Sequence, residues 1–131
     1  MTAGTARQRV EPDSRFAAAI GFSAAVRVGD WVTTAGMTAV NAGGSLIGEG
    51  PYEQAREALR KIADALAGVG ADMNHVVQTR MYLVDADDWP EVGRAHGEVF
   101  AEIRPAATMV VVAGLLDPRM RVEIEARAFV G

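Results

Sequence analysis

The chain has 131 residues, half of them hydrophobic, which fits one domain with enough apolar material for a real core. Its formal net charge of −4 argues against a general nucleic-acid binder, which carries a basic stripe, and against docking onto anionic membrane. With no cysteine, disulfides, thiol catalysis and cysteine-ligated zinc are excluded.

The first twenty residues are broken up by Arg7, Arg9, Glu11, Asp13 and Arg15, so they do not read as a signal peptide. No apolar run is long enough to span a bilayer, and a cytoplasmic location is the expectation. Residues 1 to about 20 read as a loose arm on a single domain covering residues 1–131. Ala24 to Val28 and Trp31 to Ala35 then read as short strands, joined by a hairpin-type turn at Gly29-Asp30. Asn41 to Ser45 is a glycine-rich loop.

Pro51 opens a helix, where its missing N–H costs little. Ala55, Leu59, Ile62 and Leu66 form one stripe at helical spacing, and Gly68 and Gly70 are plausible stops. Lys61, on this helix, is the only lysine; the preference for arginine reads first as codon bias and second as anion recognition. Val76 to Val84 is a strand rich in β-branched and aromatic residues. Asp88-Trp89-Pro90-Glu91 has the form of a capping box with aspartate as cap. The helix it opens runs to about Ile103, with Val92, Ala95, Val99 and Ile103 as its buried stripe, and Pro105 ends it. Thr108 to Val112 and Arg121 to Phe129 are the last strands. The order is ββαβαββ, an α+β arrangement with two helices on one face of a sheet.

Two helices cover only one face of such a sheet. The last strand fits a wet second face: Val122, Ile124, Ala126 and Ala128 alternate with Arg121, Glu123, Glu125 and Arg127. Met109-Val110-Val111-Val112-Ala113 does not alternate, so both its faces call for burial. Another copy of the chain is the simplest cover; the alternative is the N-terminal arm.

Several fragments, in order, carry a likeness to a known family. They are Gly21; Val28-Gly29-Asp30 leading into Thr34-Ala35-Gly36; Tyr52-Glu53-Gln54-Ala55 with Leu59 and Ile62; and Gly70 before Val76-Val77-Gln78-Thr79. Tyr82-Leu83-Val84-Asp85, Asp88-Trp89, Phe100, Pro105-Ala106 and Val122-Glu123-Ile124-Glu125-Ala126 follow. Over residues 20 to 129 the sequence resembles the Rid family, also called YjgF or UK114 and often labelled endoribonuclease L-PSP. The resemblance implies a chorismate-mutase-like fold, a homotrimer and small-molecule clefts between subunits. A small-molecule ligand is the expected partner, with no cofactor expected and with nucleic acid and membrane disfavoured by the net charge.

In imine-deaminating members, an arginine clamps the substrate carboxylate and a glutamate on the last strand positions water. The glutamate position matches Glu123, the candidate catalytic residue. The arginine position holds Ala107. Other pocket positions implied by the resemblance are Phe22 and Ser23 (where a tyrosine is usual), Ala35, Gly93 and, after Ala107, Met109. The cleft is therefore expected to be larger and more apolar than a deaminating relative's. Arg80, mid-strand on a face shared with Gln78 and Tyr82, is the candidate replacement for the missing clamp; the ordinary reading is a cross-strand salt bridge to Glu123 or Glu125. His75 and His96 lie too far apart in sequence for a metal site, and none is expected. Three functions follow as expectations: a Rid-type enzyme acting on an imine, enamine or related metabolite; a non-catalytic trimeric ligand-binding or regulatory protein; and, opposed by the acidic balance, an endoribonuclease.

Overall fold

The computed structural model describes residues 6–131. Among these, six strands and three α-helices follow one another, with short helical turns at Met73–His75 and Ala86–Asp88: β1 (Arg7–Val10), α1 (Ala17–Ile20), β2 (Ala25–Val28), β3 (Trp31–Thr34), α2 (Pro51–Ala67), β4 (Val76–Leu83), α3 (Trp89–Phe100), β5 (Ala106–Val111) and β6 (Val122–Phe129). The strands form one six-stranded sheet in the order β1-β2-β3-β6-β4-β5, giving the expected α+β architecture. All neighbours are antiparallel except β4 and β5, which α3 connects as a parallel pair.

Hydrophobic spacing decides the packing. The stripe Ala55, Leu59, Ile62 and Leu66 is buried in the core, as are Val92, Ala95 and Phe100 of α3. These meet the inward side of the sheet, where Val32, Met81, Leu83, Val122, Ile124, Ala126 and Ala128 are buried. At the β2–β3 hairpin, Val28 pairs with Trp31 across a two-residue turn, and Gly29 adopts φ 62°, a left-handed conformation that glycine takes without steric cost.

Two expectations need correction. The arm read as loose contains, in its described part, an edge strand and a helical turn. Arg7 to Val10 pairs residue for residue with β2, and Val10 packs against Gly68 at the end of α2. Asp88 is the N-cap of α3, but its side chain makes no capping hydrogen bond. It accepts two hydrogen bonds from Arg121 instead, Nε at 3.1 Å and Nη2 at 2.9 Å, tying the helix start to the start of β6. Asp85 caps the preceding helical turn by accepting from the Asp87 N–H.

The outward face of the sheet is bare. It carries Thr33, Gln78, Arg80, Glu125 and Arg127, along with exposed Trp31 and Phe129, whose rings lie 4.8 Å apart. β5 is uncovered on both sides: Val110 is 41% exposed and Val111 57%. The N-terminal strand lies at the opposite edge of the sheet, so it does not shield β5.

Candidate functional site

A concavity forms beside β6, where the chain after β3 continues the sheet. The Met37 N–H donates to the Ile124 carbonyl at 2.7 Å, and the Ile124 N–H donates back at 3.0 Å. This pairing brings Gly36 directly beneath Glu123. A Cβ on residue 36 would lie 2.7 Å from the Glu123 Cδ and 2.9 Å from its Cγ, closer than side chains pack. Glycine here lets the Glu123 carboxyl come close to the backbone in a cavity of about 270 Å³ that both residues line.

Mostly apolar side chains wall this cavity: Phe16, Ile20, Phe22, Met37, Leu116 and Met120. Among the described residues, no hydrogen bond or ion pair engages the Glu123 carboxyl. Burial, reinforced by the charge of Glu125, pushes its pKa above the ordinary carboxylate value. Glu125 itself is held by the Tyr82 hydroxyl, which donates a short hydrogen bond to Oε1; that bond and burial raise the tyrosine's pKa.

The cavity walls are pinned by polar contacts. Gln54 on α2 is fully buried; its Oε1 accepts from the Arg121 N–H at 2.8 Å and its Nε2 donates to the Arg119 carbonyl at 3.1 Å. The Asp117 carboxylate accepts from Arg119 Nε and Nη2 at 3.0 and 2.8 Å and from Arg15 Nη2 at 2.9 Å. These arginines hold Asp117 well below the usual carboxylate range. Lys61 Nζ donates to three carbonyls, Thr38 at 3.0 Å, Val40 at 3.3 Å and Asp13 at 3.4 Å, fastening the N-terminal segment and the residues after β3 onto α2. Burial lowers the lysine's pKa, with Asp13 and Glu57 pulling the other way.

The structure brings Glu123, Phe22 and Ala35 into this cavity and leaves the other sequence candidates outside it. Ser23 points to a neighbouring surface and accepts from Arg9 Nη1 at 3.4 Å. Arg80 sits on the bare face opposite Glu125 in register, yet no salt bridge among the described residues includes it. Its expected ion pair is absent, and the Glu125 oxygen goes to Tyr82 instead. Gly93 on α3 and Ala107 on β5 lie toward the far edge; Met109 packs partly into the core beside Met81. Sequence reasoning missed Phe16, Lys61, Leu116 and Met120. Lys61 alone carried a signal, as the one lysine in an arginine-rich chain. His75 and His96 are separated: His75 caps its own helical turn, and the His96 Nε2 meets Thr79 Oγ1 at 2.9 Å. Among the described residues, no three of His, Asp and Glu are placed to hold a metal ion.

Known proteins place this geometry in context. The sequence profile named Endoribonuclease L-PSP matches residues 12–130. The uncharacterised protein SCO2049 of Streptomyces coelicolor is 41% identical over 125 residues, covering 95% of this chain and 92% of that protein. The mouse 2-iminobutanoate/2-iminopropanoate deaminase is 35% identical over 127 residues, covering 95% and 93%. Among solved structures, Mycobacterium tuberculosis Rv2704, of the YjgF/YER057c/UK114 family, superimposes with a TM-score of 0.87 at 43% identity, covering 95% of this chain and all of that one. In fold and in sequence across nearly its whole length, the chain belongs to the endoribonuclease L-PSP family, the YjgF/YER057c/UK114 or Rid proteins.

Proposed function

We propose that this protein binds a small, largely apolar metabolite in the Glu123 cleft and hydrolyses an imine or enamine there. The observation that carries the reading is a carboxyl with no partner among the described residues, desolvated at the floor of an apolar cavity. A carboxyl whose pKa is lifted toward the working pH exchanges protons in both directions. Glu123 would take a proton from water as the water oxygen bonds to the imine carbon, giving a carbinolamine. It would return that proton to nitrogen. The C–N bond then breaks as the hydroxyl proton passes, through Glu123, to the departing nitrogen and the carbonyl forms, so imine plus water gives carbonyl compound plus ammonia. The 35% identity to an iminobutanoate/iminopropanoate deaminase supports this reaction class.

We further propose that copies of the chain cover β5 and the bare sheet face, as a homotrimer. Support comes from exposed Val110 and Val111 on both sides of an edge strand that the described part of the N-terminal arm does not reach.

One observation favours a second reading, ligand binding without chemistry: Ala107 stands where the resemblance implies a carboxylate clamp. Ammonia release separates the two. An amine oxidase or an amino-acid oxidase generates imines in situ, and the protein is added in excess. Hydrolysis faster than in buffer, and lost in Glu123→Gln, supports the enzyme. No acceleration of either imine, with ligand-induced thermal shifts retained, selects the binding protein.

A further inference from the structure

We infer that the cleft takes an apolar primary amine or iminium with its cationic nitrogen at Glu123, and turns away carboxylates such as α-imino acids. This rests on the reading of the cleft as the ligand site and adds the charge and class of its occupant.

The argument begins with which charges are free. Of the two cationic side chains of the cavity wall, Lys61 is engaged by three carbonyls and Arg15 is engaged through Nη2. Lys61 spends its ammonium protons on the Thr38, Val40 and Asp13 carbonyls. Arg15 pairs with Asp117, and its guanidinium lies 5.2 Å from the centre of the Phe16 ring. Ala107, the position from which the resemblance implies a clamp, carries only a methyl and lies outside this cavity within one chain. Among the described residues, an entering carboxylate would meet on these walls only cations already shared with other acceptors. It would also meet Glu123, a like charge where water is scarce. A protonated nitrogen would meet the reverse: the Glu123 carboxyl, without a partner among the described residues, beside Gly36. Pairing there returns to Glu123 the solvation that burial removed.

The cavity also sets the body of the ligand. A void of roughly 150 Å³ is enough for benzene; this one, at about 270 Å³, suits a ring with a short chain. Ile20 and Leu116, 60% and 67% exposed, line the same cavity and extend the apolar surface toward solvent. Two large aliphatic side chains this exposed beside a cavity suit a ligand whose apolar part continues outward.

The test uses the full chain and three probes of one shape: phenethylamine as cation, phenethyl alcohol as neutral, hydrocinnamate as anion. Binding is measured by calorimetry and by the methyl signals of Met37 and Met120. The expected order is amine, then alcohol, then carboxylate, with the amine at least about tenfold tighter than the alcohol. Glu123→Gln should erase the amine's advantage and leave the alcohol within about threefold of its original affinity. Hydrocinnamate binding as tightly as the amine, or an amine preference that survives Glu123→Gln, overturns the inference while leaving the cleft as the ligand site. Failure of all three probes, with both methionine signals unmoved, overturns the inference and the reading beneath it.

Discussion

Gln54 offers the sharpest test of how the cleft is held. Its side chain is fully buried on α2, and it joins the helix to the backbone leading into β6 through the Arg121 N–H and the Arg119 carbonyl. Gln54→Leu keeps the volume but orphans both groups. An unsatisfied polar group at a buried site costs about 1–3 kcal/mol, and the added apolar contact returns about 1 kcal/mol. For the two orphaned groups together the net expectation is a loss of about 1–5 kcal/mol, or roughly 3–20 °C in Tm for a domain of this size. Urea unfolding at one fixed protein concentration reads it, because self-association would otherwise shift the midpoint. A loss below about 1 kcal/mol would refute the reasoning: residues 119–121 would then be satisfied by water, and Gln54 would not pin the cavity floor.

Other outcomes follow from the same contacts. Gly36→Ala should displace the Glu123 carboxyl, since the new Cβ falls 2.7 Å from its Cδ; amine affinity should drop by about tenfold or more while Tm moves little, and unchanged calorimetric affinity would contradict this. Glu123 has a raised folded-state pKa, so its burial is tolerated below the ordinary value of 4.5 and costs stability as pH rises through the folded value. Glu123→Gln should therefore stabilise the protein at neutral pH and match wild type near about pH 4; equal melting temperatures throughout would count against a desolvated carboxyl. Val110→Asp should weaken assembly by placing a charge on exposed β5, seen as a lower mass by sedimentation; a wild-type chain that is monomeric at micromolar concentration would remove the proposed trimer.

Much of the fold was legible because periodicity reports burial. The α2 stripe and the alternation of β6 announced their buried faces, and all four residues of the α2 stripe are in the core. β1 was hidden for a physical reason. Arg7, Gln8 and Arg9 are exposed, so the strand is held by backbone pairing to β2 and leaves no hydrophobic pattern. The cap at Asp88 misled because its true partner, Arg121, is 33 residues away and no local motif contains it. The site was legible only in part. Glu123, Phe22 and Ala35 came from matched family positions, whereas Phe16, Leu116 and Met120 are gathered by tertiary contacts from separate segments. Lys61 looks like an ordinary helix-surface cation until the three carbonyls converge on it.

The carboxyl carbon of Glu123, followed by NMR through a pH titration with and without phenethylamine, bears most directly on a desolvated acid that meets a cationic ligand. The predicted midpoint lies above 4.5 in the free protein and falls when the amine is bound. A midpoint at or below 4.5 that the amine leaves untouched would contradict it.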